Sequence, residues 1–254
     1  MKNAFVKEEK VQLGDIPAIL YKPREIARDE LLPTIIFYHG WGSNKESQKF
    51  RGFTLASFGF QVILPDSIYH GERNPVDHEK VENMGKYFWE VILNNIKESE
   101  TLVQAAIEKC QADPNRIGVA GHSMGGYTAS GFFSNNEKIK ALAVLNGSCS
   151  WNYTNEQFAE LFHIKESPIA PRDQEKIDEL DPYNRIEKLK NRPMLILHGE
   201  ADEVVPVQGQ RLFYQKMSEN NATSHLKYVE YPRLNHYVTT NMMEEVIGFF
   251  QEKM

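Results

Sequence analysis

Gly121-His122-Ser123-Met124-Gly125-Gly126 sets a serine between glycines, directly after the apolar run Ile117–Ala120. A strand turning sharply into a helix would carry this hydroxyl on a strained corner, where side chains at Gly121 and Gly125 would collide with the backbone. The helix start would aim the Met124 N–H and the positive end of its dipole at the space beside the hydroxyl. A serine so placed can attack a carbonyl and hold an acyl group. The plainer reading is a glycine-rich connection whose serine caps the helix.

A serine hydroxyl is a weak nucleophile at neutral pH and needs a base, which in turn needs an orienting acid. Both must come from loops at the same edge of the sheet as Ser123. Leu195–His198 reads as a buried strand running into the acidic loop Gly199-Glu200-Ala201-Asp202-Glu203. Asp202 is the leading acid, with Glu200 and Glu203 as alternatives. His236, beyond the strand Leu226–Tyr231, is the leading base among eight histidines. His225 precedes that strand and so falls at the wrong edge, and His198 is expected to be a structural hydrogen-bonder. A second N–H for a developing oxyanion is expected from Trp41, in His39-Gly40-Trp41-Gly42, with His39 bracing the loop.

The elements that must position these groups alternate between strand-length apolar runs and helical patterns. This predicts an α/β fold with a mainly parallel, doubly wound sheet. Strands are expected at Ala18–Tyr21, Thr34–His39, Gln61–Pro65, Arg116–Ala120, Ala141–Asn146, Met194–His198 and Leu226–Tyr231, with a weaker start near Phe5–Leu13. Helices are expected at Gln48–Phe58, Lys86–Cys110, Gly125–Ser134, Val207–Glu219 and Thr239–Lys253. Asp113-Pro114-Asn115 marks a turn before the nucleophile strand. The insert between Asn146 and Met194 is longer than an ordinary connection. Its 149–185 portion is expected to form a small helical cap on a single domain spanning 1–254. Trp151, Tyr153, Phe158 and Phe162 would roof an acyl pocket, or else anchor a surface hairpin. Pro168 and Pro171 break the pattern before a charged helix from Arg172 to Leu180. In Asp66-Ser67-Ile68-Tyr69-His70-Gly71-Glu72-Arg73, an internal Asp66–Arg73 pairing is favoured over contact of Arg73 or His70 with an anionic substrate group.

Composition bounds the function. With 41% hydrophobic and 25% charged residues the chain should be globular, and a net charge of −6 argues against nucleic acid as a partner. Two cysteines give no disulfide framework. Met1–Lys10 is charged where an export signal would be apolar, and the apolar stretch Ile35–Tyr38 is too short to span a bilayer. A cytoplasmic protein with no membrane partner is expected. Metal-ligand spacings and Walker or dinucleotide fingerprints are absent from the sequence, so neither metal nor cofactor is expected.

Taken together, the chain resembles an α/β-hydrolase superfamily serine esterase. It is most similar to small bacterial hydrolases near the prolyl-oligopeptidase and dienelactone-hydrolase branch. The resemblance rests on His39-Gly40-Trp41-Gly42, Gly121-His122-Ser123-Met124-Gly125-Gly126, the Asp202 loop and His236, in the order Ser, Asp, His. It implies an α/β-hydrolase sheet of about eight strands, nucleophile Ser123, acid Asp202, base His236 and oxyanion donors Trp41 and Met124. The implied substrate is a small-molecule ester, with thioester, amide or peptide cleavage and ligand binding without turnover as alternatives. His-Gly-Trp-Gly departs from the His-Gly-Gly-Gly of many esterases, and Ser123 stands where dienelactone hydrolases have cysteine. No propeller-sized region precedes the hydrolase unit, so propeller-gated oligopeptidase activity is not implied.

Overall fold

The computed structural model describes residues 5–24, 30–161 and 171–254. Its strands are β1 (Val6–Leu13), β2 (Ile16–Pro23), β3 (Leu32–Tyr38), β4 (Gln61–Pro65), β5 (Ala112–His122), β6 (Ala141–Leu145), β7 (Met194–Gly199) and β8 (Leu226–Tyr231). They form one sheet in the order β1-β2-β4-β3-β5-β6-β7-β8. β2 pairs antiparallel with both β1 and β4, while β3 to β8 pair in parallel, so β2 alone opposes the others.

Helices cover both faces, which is why the central strands are apolar throughout rather than alternating. β6 is buried along its whole length. Leu142 and Val144 pack toward α2 (Val81–Cys110), α3 (Met124–Asn135) and α7 (Gln208–Glu219). Ala141, Ala143 and Leu145 pack the other way, toward α1 (Lys49–Ser57) and α8 (Thr240–Lys253). This is the α/β-hydrolase fold, as the order and spacing of the motifs predict.

Two boundaries differ most from expectation. The second helix begins at Val81 rather than Lys86. Its opening is weakly signalled because it holds the exposed Val81 and, just past the first turn, Gly85, and its N-terminus has no side-chain cap. The turn expected at Asp113-Pro114-Asn115 is an irregularity within β5, whose pairing with β3 jumps from Leu32↔Ala112 to Thr34↔Ile117. Asp113 accepts the Asn115 N–H at 2.9 Å, which is turn chemistry in place. The chain reverses one step earlier, at Gln111, whose φ of 63° ends α2 in the left-handed region.

The long insert holds α4 (Trp151–Leu161), α5 (Pro171–Leu180) and α6 (Ile186–Leu189). Phe162 and Pro168 lie outside the described residues. Asp181 gathers the insert by accepting the backbone N–H groups of Trp151, Asn152 and Tyr183. Trp151 has no accessible surface and its indole N–H donates to the Ser148 carbonyl at 3.2 Å. Its ring lies 5.5 Å from that of Trp89 on α2. Trp151→Ala should therefore cost about 3–5 kcal/mol in urea unfolding, as for large buried aromatics elsewhere. A loss below about 1 kcal/mol would mean the insert is not packed as described.

Candidate active site

In a parallel sheet the loops after the strands emerge at one edge, and the edge is open where neighbouring connections diverge. Here that point lies between β3 and β5. The chain leaves β3 for α1 on one face and β5 for α3 on the other. Ser123 follows β5, Asp202 follows β7 and His236 follows β8, so all three stand at the same edge.

Ser123 sits at φ 56°, a conformation costly for a residue with a side chain. The surroundings enforce it. Its N–H donates to the Leu145 carbonyl at 3.0 Å, and its own carbonyl accepts from Gly126 and Tyr127 as α3 begins. A Cβ at Gly121 would stand 2.0 Å from the Gly125 carbonyl oxygen. The Ser123 side chain does not cap α3, which sets aside the plainer reading of the motif. Met124, the first helical residue, has no intrahelical acceptor for its N–H.

Facing Ser123 is the loop after β3. A Cβ on Gly40 would come within 3.2 Å of the Ser123 Cβ. Gly40 accepts the Ser43 N–H at 3.2 Å and Gly42 has φ 70°, a turn that leaves the Trp41 N–H unused by its own closure. The Gly42 N–H donates to His70 Nε2 at 3.3 Å, and the Ser67 N–H to His39 Nε2 at 3.1 Å. Both rings therefore accept at Nε2 and carry their proton at Nδ1, each beside a backbone carbonyl. Burial pushes His39 down to about 4 and His70 to about 3, which keeps both neutral. His39 thus braces the loop, as expected.

The expected Asp66–Arg73 pairing is corrected. Asp66 is completely buried and binds the Lys45 ammonium at 2.5 Å together with the N–H groups of Lys45 and Glu72. Arg73 instead forms a two-pronged bond to Glu98 and reaches only the Asp66 backbone carbonyl, at 3.3 Å. A compact ammonium fits among backbone donors in an enclosed site, whereas the planar fork of arginine matches the less buried Glu98 carboxylate.

Asp202 accepts from the Val204 and Val205 N–H groups through Oδ1 and from His236 Nδ1 through Oδ2, the last at 2.7 Å. His198 Nε2 lies 3.4 Å from the same Oδ2 and 2.8 Å from the Val205 carbonyl. Burial alone would raise the Asp202 pKa, but hydrogen bonds from His198, His236 and Val205 hold it well below the usual carboxylate range. With a carboxylate at Nδ1, His236 presents Nε2 as an acceptor. The alternative acids turn elsewhere: Glu203 to Asn235, and Glu200 to the Arg233 N–H. His225 lies before β8, where its carbonyl accepts the Met194 N–H, at the far edge.

Three residues unremarked in the sequence complete the arrangement. Asn146, buried with φ 46°, accepts the Gly199 N–H and donates to the Tyr237 carbonyl, both at 3.0 Å. It thereby ties the strand leading to Asp202 to the loop carrying His236. Asn235 accepts the N–H groups of both His236 and Glu203. The His122 ring packs 4.8 Å from that of His236, and burial drives its pKa to about 3. The sequence signal for Asn146 is its position, an asparagine directly after a strand at the open edge.

Of the expected pocket residues, Phe158 lies 6.1 Å from Phe88, which lies 5.5 Å from Tyr127 and 6.4 Å from Trp41. Trp151 and Met124 belong to the same aromatic layer, Trp151 as enclosed support beneath it. Tyr153 is half-buried on α4. Among the described residues no cluster of three or more His, Cys, Asp or Glu could hold a metal. No helix among them is long and apolar enough to cross a membrane.

Residues 83–254 match the prolyl oligopeptidase family. The chain belongs to that family of serine hydrolases. It is 32% identical to the putative esterase YitV of Bacillus subtilis, over 97% of this chain and 99% of that one. To the esterase YjfP of Escherichia coli it is 29% identical, over 98% and 100%. The crystal structure of TT1662 from Thermus thermophilus shares the fold, with a TM-score of 0.78 at 18% identity over 97% of both chains.

Histidines buried as neutral rings bind protons more readily in the unfolded chain. Their stability contribution is complete above the unfolded value of about 6.5 and is lost as pH falls toward the folded values near 3 to 4. His39, His70 and His122 should each cost on the order of 1–2 kcal/mol by pH 5. Asp181, raised by burial to about 6, works the other way. Urea midpoints measured from pH 7.5 to 5 should therefore fall, and His70→Gln should shallow the slope. A midpoint that rises on acidification would contradict this balance.

Proposed function

We propose that this protein is a serine esterase that cleaves small-molecule carboxylic esters through an acyl-enzyme intermediate. The observation that carries the reading is the 2.7 Å bond from His236 Nδ1 to Asp202, at the edge where Ser123 stands on its strained corner. In the first step His236 Nε2 takes the Ser123 proton as Oγ attacks the ester carbonyl. Asp202 fixes the tautomer and stabilises the charged imidazole. The N–H groups of Trp41 and Met124 receive the developing oxyanion. His236 then protonates the departing alcohol, and finally activates a water that releases the acid and frees Ser123. Relatives named as esterases along nearly their whole length support the ester over other acyl compounds.

The family description favours a second reading, peptide or amide cleavage by the same groups. Paired p-nitrophenyl esters and p-nitroanilides of the same acyl group separate the two. Turnover confined to the anilides would replace the esterase assignment.

Ser123→Ala should abolish p-nitrophenyl ester turnover and labelling by a fluorophosphonate while the far-ultraviolet circular dichroism is unchanged. Asp202→Asn should reduce kcat by about three to four orders of magnitude, because the histidine is left in the wrong tautomer. Label on another serine, or a crippled Glu200→Gln beside a near-normal Asp202→Asn, would reassign the site.

Phe158 gives the cap reading its own test. If the aromatic layer borders the acyl group, Phe158→Ala should shift the ratio of kcat/KM between short and medium esters by roughly 10-fold or more. A lower melting temperature with unchanged ratios would make the insert a packing element only.

A further inference from the structure

Basic side chains around the site are mostly neutralised: Lys45 by Asp66 and Glu72, Lys49 by Glu8 and Glu46, Arg73 by Glu98. Arg51, in the first turn of α1, is different. Among the described residues no carboxylate pairs with it, and its guanidinium donates to the neutral Gln48 Oε1. Burial works against its charge. A chain with net charge −6 has carboxylates to spare. An unneutralised, partly buried cation is a cost that folding alone does not require.

Three observations set Arg51 beside the active site. Through Gln48, whose amide donates to Ser43 Oγ at 2.8 Å, it joins the turn that carries Trp41. Its charge reaches His122, where it adds to burial and to His236 in holding that ring neutral. It also lines a groove of about 420 Å³ between α1 and α8. Both helices start at the active edge, so Ser47, Arg51 and Val238 form the end of the groove nearest the site. Val238 is two residues beyond His236. The remaining walls are apolar, with Phe50 next to Arg51 in sequence and Phe58, Met243 and Ile247 farther along, and both phenylalanines are exposed. Glu244 also borders the groove but stands in water, where its charge is screened.

Resting on the serine esterase reading, we propose that Arg51 and this groove select esters bearing an anionic oxygen group, carboxylate or phosphate, close to the scissile bond, with an apolar chain lying between α1 and α8. The guanidinium supplies a charge-assisted bond to the anion, and the groove buries the chain. Substrates of this class are amphiphilic acids esterified near their charged end.

Matched substrates test it. One pair carries the charge on the acyl side, p-nitrophenyl hemisuccinate against p-nitrophenyl butyrate. The other carries it on the alcohol side, 4-carboxyphenyl acetate against phenyl acetate. Arg51→Gln should lower the charged-to-neutral ratio of kcat/KM in at least one pair by about 10-fold or more, chiefly through KM, with Arg51→Lys retaining part of the preference. Calorimetry on the unsubstituted protein should show hexanoate or hexyl phosphate binding more tightly than hexanol, and the tighter of the two identifies the anion. Ratios unchanged in both pairs, or hexanol binding as well as both anions, would overturn the proposal, and the calorimetric comparison decides even where Arg51→Gln fails to fold. Loss of all ester turnover and of Ser123 labelling would instead sink the esterase reading, while the calorimetry still reports on Arg51.

Discussion

Helix α3 packs so closely on β3 and β5 that backbone meets backbone, and glycine is required on both sides of the contact. A Cβ on Gly125 would stand 2.2 Å from the Tyr38 carbonyl oxygen. Because the helix cannot retreat, the chain has no room for an ordinary turn, and Ser123 is left in the left-handed region with its side chain on the outside of the corner. The same contact fixes the loop after β3, since Tyr38 is the residue from which Gly40 and Trp41 depart. Tyr38 pairs with Gly121 across the two strands, so both loops leave the sheet at the same level and separate there. The open edge is thus a consequence of one close crossing. Strain at Ser123 is held by the strands, the helix and the Leu145 carbonyl together.

Around that corner the protein uses buried polar groups where the core uses apolar ones. Asp66 and Lys45 form an enclosed ion pair whose desolvation offsets much of its attraction, so its value lies in placement more than in stability. It fastens the end of the Trp41 loop to the loop after β4. His39 and His70 do the same through their acceptor nitrogens, which only neutral rings can offer. Asp202 stands between two histidines of different duty. His198 and the Val204 and Val205 N–H groups hold the carboxylate in position, and His236 takes the remaining direction of Oδ2. Asn146 then sets the spacing between the strand leading to Asp202 and the loop carrying His236. Each group constrains a backbone segment that no apolar contact could orient.

The sheet was legible because its strands are short apolar runs covered on both faces, and β4 and β8 begin and end where the apolar pattern does. The placement of Ser123, Asp202 and His236 at one edge was legible because strand ends there leave few candidates, and the resemblance supplied the order. The partners of Asp66 were not legible. Lys45 lies well before it in sequence, and a charge pattern cannot say which of two cations folds inward. The positive φ of Asn146 and the packing of His122 on His236 are likewise products of tertiary arrangement. Phe88 and Trp89 were hidden for a related reason. They belong to a helix whose periodicity says only that one face is buried, and that face changes partner from the sheet to the insert along its length.

The two flanks of Ser123 differ in kind. On one, α2, α3 and the insert build an aromatic layer from Phe88, Tyr127 and Phe158, with Trp151 enclosed beneath it. On the other, α1 and α8 leave a groove whose inner end holds a guanidinium that no carboxylate among the described residues pairs with. For the proposed ester substrate, which has two parts to place, one apolar flank and one cationic flank would distinguish them by charge as well as by size. Discrimination by an added methylene in an apolar pocket is limited, whereas a buried cation left without its anion penalises the wrong substrate directly. The physical asymmetry of the edge, more than the shape of either flank, is therefore what can give this otherwise general machinery a preference.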